Sequence, residues 1–279
     1  METKMNKVFL VPTDFSEVCA NATKMAANAA RYLNYKVSLL HVIDKTTKAE
    51  LKKEGKGESY IKEKLEEIAK QTAEEFGIEV DYHAKEGSIF ITIAETAKKI
   101  GASLIYLGTH GKVGMQKLTG SYALKVITSS EVPVIVTQKR YFKDAYTDIV
   151  LPITSDAGPW EKTKWAAFIA KQFDAKIHIY QLDNDEIDDA VELITNHFKA
   201  NDVAFEIKRA DKSSNFTRQV IDYATAIDAG LIMIMTNPEM GFTKFILGSY
   251  DEEMIFNTSQ IPVMCVNPRD FNWRKIVSR

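Results

Sequence analysis

The sequence has little of what marks a secreted, disulfide-bonded or membrane protein. Its 279 residues include two cysteines, Cys19 and Cys265, which stand far apart and form no CxxC pair. Isolated thiols build no disulfide framework and suit a reducing compartment. No apolar run approaches the roughly 20 residues that a membrane span requires, and residues 1–15 lack the apolar core of a secretory signal. We therefore expect a cytoplasmic protein without a membrane partner.

Neither sign of charge dominates. The chain has 36 Lys and Arg residues against 38 Asp and Glu residues, which gives a formal net charge of −2. It therefore lacks the basic excess typical of nucleic-acid-binding proteins. The histidines show no metal-ligand spacing, so we expect no metal site. Hydrophobic residues make up 45% of the chain, which is enough for a sizeable globular core.

The same sequence pattern occurs twice. VFLVPTDFSE, which begins at Val8, resembles DIVLPITSDA, which begins at Asp148, at an offset of 140 residues. Further along, the Gly-Ser-Tyr at Gly120 recurs at Gly248, at an offset of 128. Self-similarity over such a distance indicates a tandem duplication. The predicted domains are residues 1–141 and 147–279.

Each copy alternates strand and helix patterns. Short apolar, β-branched runs alternate with amphipathic stretches of helical period. Such alternation predicts an α/β fold, here two tandem five-stranded, mainly parallel sheets with helices on both faces. The predicted elements of copy one are strands 7–13, 36–43, 79–83, 103–108 and 132–136, and helices 19–34, 59–76, 89–100 and 121–129. The charged segment 45–64 is predicted to be a solvated loop and helix start, with a flexible lid or partner surface as the alternative.

Ligands of such sheets bind beyond the carboxyl ends of the strands. The residues at these ends are Pro12, Thr13 and Asp14 after the first strand and Val42 near the end of the second. The stretch GTHGKVGMQKLTGSY, residues 108–122, follows the fourth strand. This edge is therefore where we expect a ligand.

The glycine stretch predicts a pocket for a polyphosphate. Gly108 and Gly111 permit positive φ and leave no Cβ to keep an anion from the backbone N–H groups. Gly120 and Ser121 open a helix, whose N-terminus attracts anions. The pattern matches neither GxxxxGK[ST] nor GxGxxG. The alternative is a plain strand-ending turn in which Ser121 caps its own helix.

Five motifs in a fixed order resemble the universal stress proteins. They are Pro-Thr-Asp-Phe-Ser from Pro12, Leu-His-Val-Ile-Asp from Leu40, Gly-Thr-His-Gly from Gly108, Gly-Ser from Gly120 and Val-Pro-Val-Ile-Val from Val132. The resemblance covers both copies. It implies a Rossmann-like fold of the adenine nucleotide α-hydrolase type. It also implies a stress-response protein that binds ATP or another adenine nucleotide, either alone or together with Mg²⁺.

The resemblance also implies a set of binding residues in copy one. The adenine and ribose would be held by Pro12, Thr13, Asp14 and Val42. The ribose and triphosphate would be lined by Leu107, Gly108, His110, Gly111, Gly120, Ser121 and Tyr122. The residues themselves indicate an anion site at the glycines and Ser121, whereas adenine comes from the resemblance alone.

The sequence departs from the family motif in both copies. Eight residues separate Gly111 from Gly120, where the nucleotide-binding members carry nine. In copy two Met-Thr-Asn-Pro, from Met235, stands in place of Gly-Thr-His-Gly, and Thr154 replaces Asp14. Proline has no N–H to donate, and threonine offers no carboxylate to ribose hydroxyls. We expect copy two to bind ATP weakly or not at all.

The last strand of each copy is apolar and predicted to lie at a sheet edge. These strands, residues 132–138 and 261–267, are expected to pair the two domains as a pseudo-dimer, with a homodimer of chains as a further step. No acid–base constellation stands out, so no catalytic residue is assigned. Two rival hypotheses are an interaction module with decayed sites and, less favoured, a slow ATPase.

Overall fold

The protein is described by a computed structural model over residues 6–110, 120–140, 146–154, 160–183, 185–211, 215–238, 245–246 and 249–267. The chain divides into two compact units, Met1–Lys143 and Asp144–Arg279. Each unit contains a parallel sheet with helices. In these described ranges no helix has the length and apolarity needed to cross a membrane.

Unit 1 contains five strands and five helices within its described part. They are β1 (Val8–Pro12), α1 (Glu17–Leu33), β2 (Lys36–Ile43), α2 (Lys45–Lys53), α3 (Ser59–Phe76), β3 (Val80–Glu86), α4 (Ile89–Ile100), β4 (Leu104–Gly108), α5 (Gly120–Ser129) and β5 (Val134–Thr137). The strand order is β3-β2-β1-β4-β5, and all four pairings are parallel. The central strands β1 and β4 are buried throughout, as expected when helices cover both faces.

The winding of unit 1 reverses at β1. From β1 the chain moves to β2 and β3, then returns to β4 on the other side of β1. Because right-handed crossovers in opposite directions place their helices on opposite faces, α1 and α3 cover one face and α4 and α5 the other. The packing of α1 on α3 and of α4 on α5 agrees with this arrangement.

The predicted α/β fold is confirmed, and the predicted elements of copy one match with small shifts at their ends. One interpretation was wrong: residues 45–53 form helix α2 rather than a solvated loop. Asp44 caps this helix, since its Oδ1 accepts a hydrogen bond from the backbone N–H of Thr47 at 2.8 Å. Thr47 and Leu51, one turn apart, are its buried residues, and a helix with a single buried apolar residue is easily missed in a charged segment.

Unit 2 repeats the strand order of unit 1. Its elements are β6 (Asp148–Ile153), α6 (Trp160–Phe173), β7 (Lys176–Gln181), α7 (Asp185–Ala200), β8 (Phe205–Arg209), α8 (Phe216–Ala226), β9 (Leu231–Met235), β10 (Asn237–Pro238), β11 (Phe245–Ile246), α9 (Ser249–Ile255) and β12 (Val263–Val266). Parallel strands in the order β12-β9-β6-β7-β8 form its sheet. Strands β5 and β12 each end the strand order of their own unit, and the pairing predicted between them stays a prediction.

A buried histidine network lies at the amino ends of β6, β7 and β8. His178 Nε2 lies 2.7 Å from Asp148 Oδ1, and His178 Nδ1 lies 2.9 Å from Glu206 Oε1 and from the Tyr223 hydroxyl. Lys176 forms an ion pair with the other oxygen of Glu206. A hydrogen bond from Lys176, followed by one from Tyr223, lowers the pKa of Glu206 to about 2, and His178 adds a smaller effect in the same direction. His178 is therefore accounted for as a structural residue.

Candidate functional site

The carboxyl ends of β2, β1 and β4 meet at one edge of unit 1. Because β1 lies between β2 and β4 and the winding reverses there, a crevice opens at this point of the sheet. Asp14 follows β1, Val42 is the second-last residue of β2, and Gly108 ends β4. The residues predicted from three separate stretches of sequence are thus brought to one edge.

The turn after β1 is fixed by backbone hydrogen bonds. The N–H of Thr13 donates to the carbonyl of Leu40 at 2.8 Å, and the N–H of Phe15 donates to the hydroxyl of Thr13 at 3.0 Å. Asp14 Oδ1 accepts the N–H of Ser16 at 3.0 Å. Phe15 has φ +67°, a left-handed conformation that costs a non-glycine residue roughly 1–2 kcal/mol. The turn holds the half-buried carboxylate of Asp14 at the crevice.

His41 supports this turn from β2. It is buried, its Nδ1 lies 2.8 Å from the carbonyl of Thr13, and a carbonyl only accepts, so Nδ1 carries the proton. Its ring stacks on that of Phe15, with centroids 4.6 Å apart and planes 7° apart. The Nδ1 proton of His41 thus ties β2 to the turn after β1, and the ring of His41 fixes that of Phe15.

Two adjoining pockets lie at the crevice. A narrow one of about 20 Å³ is lined by Pro12, Thr13, Val42 and Ile93, among others, which makes it mostly apolar. A wide one of about 810 Å³ opens beside it and shares Asp14, His41 and Ile89 with it. The narrow pocket holds about one water molecule. It therefore forms an apolar floor beside the wide cavity.

The wall of the wide cavity comes mainly from a segment that was not predicted to form the site. Ten of its sixteen lining residues belong to residues 44–64, which carry α2 and the start of α3. These ten include three acidic residues, Asp44, Glu50 and Glu54, and two basic ones, Lys56 and Lys64. The Asp-x-x-Thr cap at Asp44 was the signal in the sequence that could have identified this wall.

The end of β4 is packed tightly on α1. A Cβ added to Gly108 would lie 2.5 Å from the carbonyl oxygen of Val18 and 2.9 Å from the backbone N of Cys19. Gly108 does not have positive φ, so its backbone does not use the conformational freedom that glycine permits. Because Gly108 has no side chain, β4 can pack closely on α1. Leu107 is fully buried in the same strand.

The phosphate side of the predicted site is described in part. His110 is half-buried, and its Nε2 is buried without a hydrogen-bond partner among the residues that the structure describes. Tyr122 in the first turn of α5 is 38% exposed and lines the wide cavity. Gly120 and Ser121 begin α5. Gly111, the eight residues after it and the hydroxyl of Ser121 lie outside the described part.

The thiol next to the site is not a nucleophile. Cys19 is buried in α1, and burial raises the pKa of its thiol above the usual range, with the nearby charge of Asp14 adding to the rise. A thiol held in the protonated form neither attacks substrates nor binds metal ions. Cys19 serves as a core residue.

The corresponding edge of unit 2 is built differently. Thr154, which stands at the position of Asp14, is exposed. After β9 the chain forms the short antiparallel pair β10–β11, where unit 1 carries its glycine stretch. The ammonium of Lys162 donates to the carbonyl of Pro152 at 2.5 Å. Burial lowers the pKa of Lys162 to about 8, while Asp251 acts in the opposite direction.

Two tandem, doubly wound α/β units with a crevice at the reversal point define the class of the protein. The model of the universal stress protein family matches residues 5–138. A universal stress protein of Methanocaldococcus jannaschii is 36% identical over 140 residues, which are 48% of this chain and 82% of that protein. The chain belongs to the universal stress protein family.

Solved structures support the fold of the whole chain. A universal stress protein from Archaeoglobus fulgidus matches with a TM-score of 0.77 at 19% identity, over 94% of this chain and 98% of that one. A protein of unknown function from Pseudomonas aeruginosa matches with a TM-score of 0.61 at 16% identity, over 99% and 98%. Both matches extend over nearly the full length of the two chains, so the two-unit architecture recurs.

Proposed function

We propose that unit 1 binds an adenine nucleotide, with ATP as the first choice, and that the chain acts as a nucleotide-responsive stress protein in the cytoplasm. The family includes ATP-binding members. The observation that carries the proposal is the cavity of about 810 Å³ at the crevice, bordered by Asp14 and adjoining an apolar floor. Ligands of open α/β sheets bind at such a reversal point.

The residues present suit the parts of a nucleotide. The apolar floor at Pro12 and Val42 suits the face of a base, and the carboxylate of Asp14 can accept hydrogen bonds from ribose hydroxyls. The buried Nε2 of His110 suits a ligand oxygen, since a polar atom without a partner is costly. The N-terminus of α5 attracts phosphate.

The charges of the cavity favour one orientation of the nucleotide. The wall from residues 44–64 carries Asp44, Glu50 and Glu54 against two lysines, and Lys56 is already paired with Glu54 at 2.7 Å. Phosphates are repelled by this wall. They are therefore placed on the opposite side, towards His110 and α5. Unit 2, with Lys162 and the β10–β11 pair at the corresponding edge, is proposed to bind no nucleotide.

The test is calorimetry and thermal unfolding of the full chain with ATP, with and without Mg²⁺. One ATP per chain is expected, and ATP at about 100 times its Kd should stabilise unit 1 by about 3 kcal/mol. Asp14→Asn keeps an oxygen for the N–H of Ser16 but loses the charge, and should weaken binding roughly 10- to 100-fold. Thr154→Ala at the matching position of unit 2 is the control and should bind normally.

The second candidate function is an interaction module that works without nucleotide. The altered edge of unit 2 favours it for that half of the chain. If calorimetry with millimolar ATP shows no heat of binding, the interaction-module function extends to the whole protein and nucleotide binding is refuted.

Under either function we propose that the two units pair through their last strands and that a homodimer is the next level of assembly. No catalytic step is proposed.

A further inference from the structure

Helix α2 forms a wall of the wide cavity but is weakly anchored to the fold. Of its nine residues Leu51 is the one buried apolar residue, whereas the eighteen residues of α3 include four, Ile61, Leu65, Ala69 and Phe76. An exposed ion pair between Lys48 and Glu86 joins α2 to the end of β3. Elements with few buried apolar contacts and exposed polar links open at lower free energy than the core. Helix α2 is therefore the part of the wall that opens most easily.

A glycine-flanked turn connects α2 to α3. Gly55 has φ +66°, a conformation that glycine adopts without strain, and open space surrounds the position of its missing Cβ. Gly57 follows two residues later. Such a turn can change its backbone angles without displacing a packed side chain. It has the properties of a hinge between the weakly held α2 and the anchored α3.

A stack of side chains links the segment to the predicted ligand residue. Phe15, next to Asp14, packs on His41 on one side, and Lys64 of α3 places its Nζ 5.0 Å from the centre of the Phe15 ring. Lys64 also lies 5.2 Å from the ring centre of Tyr60. Lys64 thus bridges the turn that carries Asp14 and the first turns of α3. Lys56 of the turn at residues 54–58 lies 3.8 Å from the other contact of Lys64, the ring centre of Tyr60. We call this series of contacts, from Lys56 through Tyr60 and Lys64 to Phe15, the latch.

We propose that α2 and the turn at residues 54–58 are a cover over the cavity, held closed by the latch, which opens to admit the nucleotide and closes on it. The nucleotide part rests on the proposed function of unit 1. A ligand that engages Asp14 orders the Asp14–Ser16 turn, which fixes Phe15 under Lys64 and so steadies α3 and the hinge. Occupancy of the site is thereby reported at the surface helix α2.

The test is hydrogen exchange of the full chain, read in peptides from residues 44–58. Lys64→Met keeps the length and apolar stem of the side chain but removes its positive charge. Lys70→Met, at an exposed position of the same helix, is the matched control. Without ligand, Lys64→Met should speed exchange in α2 about two- to fivefold, as expected for loss of the exposed cation–π contacts of Lys64 with Phe15 and Tyr60. Lys70→Met should leave exchange in α2 unchanged. ATP at saturation should slow exchange of α2 in the unmutated chain at least about tenfold.

Calorimetry on the same samples separates the two proposals. If ATP binds but exchange in α2 is unchanged, α2 is no cover and the inference is overturned. Equal exchange in Lys64→Met and Lys70→Met without ligand overturns the latch. If ATP gives no heat, nucleotide binding itself is refuted, and the ligand-free comparison of the two variants still decides whether Lys64 holds the cover closed.

Discussion

The buried Lys162 of unit 2 makes a strong prediction about stability. Its side chain is 7% exposed, and its ammonium has one charged neighbour in Asp251 and a hydrogen bond to Pro152. A fall of the pKa from 10.5 to about 8 means that the charge destabilises the folded state by roughly 3 kcal/mol at pH 7. Lys162→Met removes the charge and keeps the apolar stem. It also loses a hydrogen bond of about 1 kcal/mol, so a net gain of about 1–2 kcal/mol is expected.

The stability difference between Lys162→Met and the unmutated chain should depend on pH. Because the folded-state pKa is lowered, the penalty is fully present below about pH 8 and is relieved as the pH rises towards 10.5. The advantage of Lys162→Met over the unmutated chain should therefore be largest at pH 7 and nearly gone at pH 10. Once the amine is neutral, the unmutated chain loses the penalty and keeps its hydrogen bond.

The assay is urea unfolding followed by tryptophan fluorescence between pH 7 and pH 10. All three tryptophans, Trp160, Trp165 and Trp273, belong to unit 2, so the signal reports that unit. Lys171→Met, at an exposed position of the same helix, is the control and should change stability by less than about 0.5 kcal/mol. A Lys162→Met variant that is less stable at pH 7, by an amount independent of pH, would refute the reasoning.

Two further predictions concern packing and charge. Gly108→Ala should destabilise the protein by about 1–3 kcal/mol, because the added Cβ would meet the carbonyl of Val18. Gly57→Ala is the control and should be nearly neutral, since the nearest atom to its added Cβ is 3.9 Å away. Equal melting temperatures of the two variants would contradict this account. Glu206→Gln should lower the free energy of unfolding by about 1 kcal/mol at pH 7, a value reduced because the Glu206 side chain is 42% exposed. The difference from the unmutated chain should fade as the pH falls from 4.5 to about 2, where Glu206 becomes protonated in the folded state. Urea unfolding at pH 7 and pH 3 measures it, with exposed Glu192→Gln as control, and an unchanged difference between the two pH values would speak against the ion pair.

The sequence was sufficient for the fold because its signals are strong and repeated. Strands such as β1 and β9 are continuous apolar runs, and the recurrence of the pattern in unit 2 supports each assignment a second time. Helix α2 was missed because mixed charge hides its two buried residues, Thr47 and Leu51. Its cap depends on a hydrogen bond that Asp44 accepts from the backbone N–H of Thr47, and composition alone does not distinguish such a cap from a loop.

The site was predictable where it depends on strand ends and not where it depends on packing between distant segments. Asp14 and Val42 follow from their places on β1 and β2, since parallel strands end at one edge. Lys64 reaches Phe15 only through the tertiary packing of α3, which no local pattern encodes. Gly108 was assigned to the site for its conformational freedom and its missing Cβ, and its close packing against α1 could not be predicted from the local pattern.

The two units show how one pattern can serve two purposes. In unit 1 the edge keeps a carboxylate at Asp14 and a cavity with a weakly anchored wall. It also keeps the half-buried His110, whose Nε2 has no hydrogen-bond partner among the described residues. These features leave polar groups unsatisfied, and a ligand can supply what they lack. In unit 2 the carbonyl of Pro152 is already satisfied by Lys162, and the backbone beyond β9 pairs with itself. An edge that satisfies its own polar groups gains little from a ligand, which is why nucleotide dependence is expected of unit 1 and not of unit 2.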